Sequence, residues 1–510
     1  MTDLDRRLAE LPRRISHVPF AQARKNPDAT ALIVDGESWS YGRFCEQIHI
    51  AAADLQGLGI RGGDRVLLVG ENGLALITLI MAVSELDGWP VIVNARLSAR
   101  EIDLFRDHCG ARRVFFTTDI SPEAADHAAR QGAAFLDMKG MPEMAVGPLN
   151  ETCLPEPVHD DGARQVGAMI YTSGTTGHPK GVMLSHRAML YVASVSGRNR
   201  GLVPTDITYA VLPVSHIFGL ASTLLGTLTV GAAVRLASRF TPKEVLSSLQ
   251  ADRITVLQGV PAMYAKLLEH LTARGETLEA PDIRYLSAGG SPLELDLKRA
   301  VEALFGTALN NGYGLTECSP TVSQTLIDAP CDTDTVGPLL PGLDVRFVDA
   351  DGNDVPTGEA GEVWVKGPNL MLGYYRAPEM TAEVLTPDGW YCTGDIARMD
   401  VDGNLYIVGR AKEMIIRSGF NVYPEEIEGV LNSHPAVTLS GVVGRDSDGE
   451  GDIIAFVQPV PGGGLTPAAL AAYAGDLLAP YKRPTEVRFL DVLPASATGK
   501  IQKGVLRDMV

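Results

Sequence analysis

Residues 171–181 read YTSGTTGHPKG, and their types suit one task above others, the grip on an oxyanion. Gly174, Gly177 and Gly181 let backbone N–H groups approach a phosphate closely, while Thr172, Ser173, Thr175, Thr176 and Lys180 can donate to its oxygens. The loop lies between an apolar run and a helix-like stretch. It is not a Walker loop: that pattern places four residues between its glycine and a GK[ST] ending, whereas Lys180 follows Gly177 by three positions and precedes Gly181. Taken alone, a flexible glycine loop accounts for the stretch equally well. His178 has no task here beyond facing solvent.

Four further stretches carry chemistry: NGYGLTECSP (311–320), WYCTGDIARMD (390–400), GRAKEMIIRSGFNVYPEEIE (409–428) and PASATGKIQK (494–503). Each has an ordinary reading in isolation: Thr316 as a helix cap, Asp395 as a turn residue, Lys500 as a surface charge. Together with the glycine loop, and in this order, they resemble the adenylate-forming superfamily of acyl- and aryl-CoA synthetases, nonribosomal adenylation domains and luciferases. Within it, SGFNVYPEEIE is most similar to bacterial fatty acyl-CoA ligases.

The resemblance implies a reaction in two halves. A carboxylate attacks the α-phosphate of ATP to give acyl-AMP and pyrophosphate, and the thiol of coenzyme A then displaces AMP. A carboxylate is a poor acyl donor and its mixed anhydride a good one. Because anions must meet, cations and positioning supply most of the catalysis. Carried over residue by residue, Thr172, Ser173, Gly174, Thr175, Thr176, Gly177 and Lys180 hold the β- and γ-phosphates, with Gly289 and Gly290 also at the nucleotide. Tyr313 stacks on adenine, Thr316 contacts phosphate, and Glu317 helps bind Mg²⁺, a hard cation suited to carboxylate and phosphate oxygens. Asp395 and Arg410 reach the ribose, and Lys500 stabilises charge between the carboxylate and the α-phosphate. Lys412 is the hinge position and Gly419 lines the coenzyme A tunnel. Arg417, Lys482 and Arg483 either meet the phosphates of coenzyme A or form a solvated basic face.

For the acyl pocket the resemblance points to His216, Gln258 and Gly312, within 216–220, 258–260, 287–290 and 312–320. SHIFGL lacks the aspartate that amino-acid-activating relatives use, so the acid is apolar, alkyl or aryl. Gly219, Gly289, Gly290 and Gly312 leave room for a long slot, which favours a medium- or long-chain fatty acid. Gln258 points the other way: its amide either reads a hydroxyl or ring nitrogen of a benzoate- or cinnamate-like acid or satisfies a backbone group. A carrier protein as thiol partner is a third reading, disfavoured because no carrier domain is fused.

These residues need a scaffold, and the hydropathy pattern supplies one. Apolar runs at 65–70, 90–94, 168–172, 208–213, 254–260 and 284–290 alternate with helical stretches such as 74–85 and the one begun by Ser98. Strand, helix and strand in series mean parallel sheets flanked by helices. From about residue 337 the chain turns to short strands and DG turns, and the aspartate-rich turns at 349–354 and 400–404 lack the glycine of a calcium loop. The fold class is α/β. A large N-terminal domain of parallel-rich sheets (1–409) includes a β-rich subdomain over 337–409, and a small mobile α+β domain spans 410–510, hinged near Lys412.

Composition narrows the partners. A formal net charge of −18 over 510 residues argues against nonspecific nucleic-acid binding. Six cysteines without a CxxC pair read as free thiols, and MTDLDRRLAELPRR lacks a signal-peptide core, so the expected location is the cytoplasm. The uncharged stretch 217–234 is marginal for a bilayer and rich in Gly and Thr, so it reads as a core element rather than a transmembrane segment.

Overall fold

The computed structural model of the chain describes residues 3–172, 179–417, 420–447, 450–460, 462–495 and 501–510. Two eight-stranded sheets dominate the first two thirds. In one, the strand Arg65–Gly70 is buried along its whole length because parallel neighbours, Trp89–Asn94 and Arg113–Phe116, flank it on both sides. The helix Leu74–Glu85 follows it and is buried from Leu74 to Ser84, as an all-round apolar helix must be. It belongs to a core shared by Leu68, Ile92 and Ile170 of that sheet and Leu32, Ala210 and Val234 of the other. The next helix, Ala99–Cys109, starts in a reciprocal capping box between Ser98 and Glu101 and ends at left-handed Gly110.

The second large sheet runs in the order Thr321–Gln324, Leu309–Gly314, Tyr285–Gly289, Val256–Gly259, Ile207–Ala210, Ala233–Leu236, Thr30–Val34 and Glu37–Ser40. Its interior pairs are parallel and its two end pairs antiparallel. The first large sheet likewise has antiparallel pairs toward its edges, and one of these corrects the reading of the glycine loop. The stretch after the loop is not helical: Lys180–Ser185 is a strand paired antiparallel with Val166–Thr172, and the helix His186–Asn199 begins only beyond it, capped by Ser185. KGVMLS is paired on both sides, with Val166–Thr172 and with Gly373–Tyr374, which holds it extended.

Residues 217–234 lie in the core, as their composition implies. They form a π-helix, Phe218–Leu225, then the helix Gly226–Val230 and part of the strand Ala233–Leu236. Among the described residues no helix is long and apolar enough to cross a membrane.

A four-stranded antiparallel sheet follows, in the order Asp344–Val348, Gly361–Lys366, Tyr391–Met399 and Leu405–Arg410. Its aspartate-rich turns are hairpin turns: Asp349 Oδ1 accepts from the N–H groups of Asp351 and Asn353, and Asp400 Oδ1 from those of Asp402 and Asn404. Beyond it, the strands Val437–Ser447, Glu450–Pro459 and Glu486–Phe489 form a sheet packed by the helices Pro424–Asn432 and Pro467–Leu477 through Ile427, Leu431, Ile453 and Leu470. The short helix Lys503–Arg507 buries Leu506 against Val443, Ile454 and Phe456.

Candidate active site

The hairpin Val166–Thr172 and Lys180–Ser185 sets the glycine loop: Thr172 lies opposite Lys180, so these two close the loop's base. Ser173, Gly174, Thr175, Thr176, Gly177 and His178 lie outside the described residues, as do Gly419 and Lys500.

The Lys180 ammonium stands 5.1 Å from the centre of the Tyr374 ring, and Tyr374 Oη donates to Glu317 Oε1 at 2.8 Å. Tyr374 thus links a cation to the carboxylate, and no motif in the sequence singled it out. It is held there by main-chain bonds: Met371 N–H donates to Glu317 O, Leu372 N–H to Met183 O and Tyr375 N–H to Gly181 O, all at 2.8 Å. Burial, reinforced by Glu317, pushes the Tyr374 hydroxyl pKa up, so it stays a donor at neutral pH. Glu317 and buried Thr316 share the 3-10 turn Thr316–Cys318 at the end of the strand Leu309–Gly314. One carboxylate backed by a phenol donor fits Mg²⁺, which completes its shell with water and phosphate oxygens.

Three residues from three separate motifs meet at Asp395. It is 3% exposed, and its Oδ1 pairs with Arg410 Nε at 2.8 Å while its Oδ2 accepts from Tyr313 Oη at 2.5 Å. Asp395 and Arg410 are cross-strand partners, so the sheet fixes the pair. Burial and then Asp395 hold the Tyr313 hydroxyl well above its ordinary pKa. Burial lowers the Arg410 guanidinium, but Asp395 and Glu413 outweigh it and raise the value.

The expected acyl wall lies on the inner face of the second large sheet. Gln258 and Ser287 are in-register neighbours on parallel strands and so share a face, which Gly289 continues two residues on. Both side chains are buried, and Gln258 Nε2 and Ser287 Oγ have no hydrogen-bond partner among the described residues. His216 begins the turn into the π-helix, and its Nδ1 accepts from Phe218 N–H at 3.2 Å.

The glycines do not open a slot as expected. A Cβ on Gly219 would lie 2.2 Å from Pro213 O, one on Gly289 3.2 Å from the Phe218 ring, and one on Gly312 3.2 Å from Ser323 O. At these positions the missing side chain admits neighbouring backbone or an aromatic ring. Only Gly290, at φ +80°, has ordinary space beside it, with Val260 at 3.8 Å.

Lys412 is exposed in the 3-10 turn Ala411–Glu413. The basic candidates are already engaged: Lys482 pairs with Glu426 at 2.5 Å, Arg483 donates to Leu478 O at 3.0 Å and Arg417 to Arg483 O at 2.7 Å.

The family model described as AMP-binding enzyme matches residues 20–375, and that of the AMP-binding enzyme C-terminal domain matches 426–500. The chain is 34% identical to a feruloyl-CoA synthase from an Amycolatopsis species, over 96% of this chain and 97% of the relative. It is 32% identical to a long-chain-fatty-acid–CoA ligase from Yersinia pestis, over 95% and 92%. The crystal structure of ATP-bound MatB from Rhodopseudomonas palustris superposes with a TM-score of 0.84 at 29% identity, covering 98% of each chain.

Proposed function

Because the chain belongs to the AMP-binding enzyme family, we propose that it activates a benzoate- or cinnamate-like acid as its acyl-adenylate and passes the acyl group to coenzyme A. The chain is an AMP-forming acid–thiol ligase that uses ATP and coenzyme A.

The observation that carries the aromatic reading is the pair of unpartnered groups at Gln258 Nε2 and Ser287 Oγ. A buried polar group left unpaired costs about 1–3 kcal/mol, and an alkyl tail offers nothing to either. A phenolic hydroxyl accepts from the amide and donates to the serine, so one ring substituent answers both. The filled spaces beside Gly219, Gly289 and Gly312 also favour a flat ring over a long alkyl tail. The feruloyl-CoA synthase relative supports the aromatic reading, and the fatty-acid ligase relative keeps a fatty acid as the second one.

In this reading Thr172, Lys180 and the loop between them hold the polyphosphate, Asp395 and Arg410 the ribose, and Tyr313 the adenine. Glu317, oriented by Tyr374, holds Mg²⁺, which when bound neutralises phosphate charge. Lys500 stabilises the charge developing between the carboxylate and the α-phosphate, and the 410–510 unit turns about Lys412 between the half-reactions.

A panel of 4-coumarate, ferulate, benzoate, octanoate and palmitate, read by pyrophosphate release with and without coenzyme A, tests the proposal. The hydroxylated aromatic acids should give the highest kcat/KM, and Gln258→Leu or Ser287→Ala should lower that advantage over their unsubstituted analogues by about tenfold. Octanoate or palmitate outranking every aromatic acid would overturn it.

A further inference from the structure

The adenylation lysine assigned above lies in the stretch 496–500, and the residues on either side of that stretch are tied together. Ala495 and Ile501 form an antiparallel bridge, and Gln502 N–H donates to Pro494 O at 2.9 Å. The next residue, Lys503, is 12% exposed and is surrounded by three carboxylates. Its Nζ lies 2.8 Å from Glu413 Oε2, 3.1 Å from Glu425 Oε1 and 3.0 Å from Glu428 Oε1. The ammonium donates to Glu425 Oε1 and forms ion pairs with all three carboxylates.

The carboxylates come from two segments. Glu413 closes the 3-10 turn that holds Lys412, and Met414 N–H ties that turn back to Arg410 O at 3.0 Å. Glu425 and Glu428 lie about one turn apart on the helix Pro424–Asn432. Glu425 also packs on the preceding strand, where a Cβ on Gly409 would lie 2.7 Å from its Oε2. One lysine therefore joins the hinge turn, this helix and the foot of the 496–500 stretch.

We propose that Lys503 is a positioning residue for adenylation: it ties the residues that flank 496–500 to the hinge turn and to the helix Pro424–Asn432. This rests on the role given to Lys500 under the proposed function. Removing Lys503 leaves three half-buried carboxyl groups with no cation between them, which loosens the turn from the helix and from the residues flanking 496–500. Misplacement of a reacting group by about 1 Å costs on the order of 100-fold in rate.

The test uses the full chain and the acid preferred in the panel. Adenylation is read as pyrophosphate release without coenzyme A, and thioester formation separately from supplied acyl-AMP and coenzyme A. Lys503→Met should lower kcat for adenylation by about 10- to 100-fold, with KM for ATP and acid changed less than about twofold and thioester formation less than about threefold. Lys503→Arg should recover most of the rate. Because Lys503→Met alone can destabilise the domain, a triple variant adds Glu425→Gln and Glu428→Gln to relieve the repulsion. It should melt near wild type yet remain slow in adenylation. Full adenylation in Lys503→Met or in the triple variant, or equal loss of both half-reactions, overturns the proposal. Lys500→Ala, run alongside, separates the two ideas: wild-type adenylation there removes the role of Lys500 and this proposal with it, whereas its loss beside a normal Lys503→Met removes this proposal alone.

Discussion

Glu428 should make the C-terminal sheet less stable as pH rises, and Glu428→Gln should remove its share of that dependence. The carboxyl is 12% exposed, accepts from Val442 N–H at 2.6 Å and lies 3.0 Å from Lys503 Nζ. Burial pushes its pKa from 4.5 up to about 7; Lys503 opposes the shift and Glu425 adds to it. Because the folded value is raised, the folded chain keeps a proton that the unfolded chain has lost. The resulting stabilisation is fully present below pH 4.5 and is lost as pH rises through about 7. At about 1.4 kcal/mol per unit, the whole effect is about 3 kcal/mol. Glutamine keeps the acceptor for Val442 and cannot ionise. Hydrogen exchange of Val437–Ser447 and Glu450–Pro459 at pH 5, 6, 7 and 8, corrected for intrinsic rates, measures the difference. Protection in the wild type should fall over this range by up to about 3 kcal/mol more than in the variant. Parallel curves for the two proteins would refute the reasoning.

Three other substitutions probe the candidate active site. Tyr374→Phe keeps the ring beside Lys180 but removes the donor to Glu317, so the Mg²⁺ concentration for half-maximal pyrophosphate release should rise about tenfold, and chelation should stop the reaction until Mg²⁺ is restored. Asp395→Asn should raise KM for ATP and cost about 1–2 kcal/mol in urea unfolding, less than a fully buried pair because the Arg410 side chain is 44% exposed. Gly219→Ala places a Cβ 2.2 Å from Pro213 O and should cost about 1–3 kcal/mol; an unchanged melting temperature would show that the π-helix yields without strain.

Much of this was readable from local chemistry. The helix Leu74–Glu85 follows from an unbroken apolar run after a strand, and the start of the helix Ala99–Cys109 from the Ser98–Glu101 spacing. Asp395, Arg410 and Tyr313 were nameable because each stands in a recognisable string, although nothing in those strings says that one carboxylate joins all three. What escaped depends on distant partners. Tyr374 matters because main-chain bonds from Met371 to Tyr375 dock it between a strand and a turn far away in sequence. Lys180–Ser185 is a strand because Val166–Thr172 lies beside it. The glycines misled for a related reason: a glycine signals that something comes close, and only the fold says whether it is substrate, ring or carbonyl.

The π-helix Phe218–Leu225 has a consequence for how this wall can change in evolution. Its wide turns, marked by the Gly226 N–H bond to Ala221 O, take in more residues per turn than an α-helix does. Loss of one codon from this stretch would return the segment to ordinary helical bonding and rotate what precedes it by about 100°. Phe218 would then swing off Gly289, the contact that closes the sheet face beside Ser287. A single in-frame deletion, rather than a series of point substitutions, is thus the shortest genetic route to a differently shaped face at the proposed acid pocket.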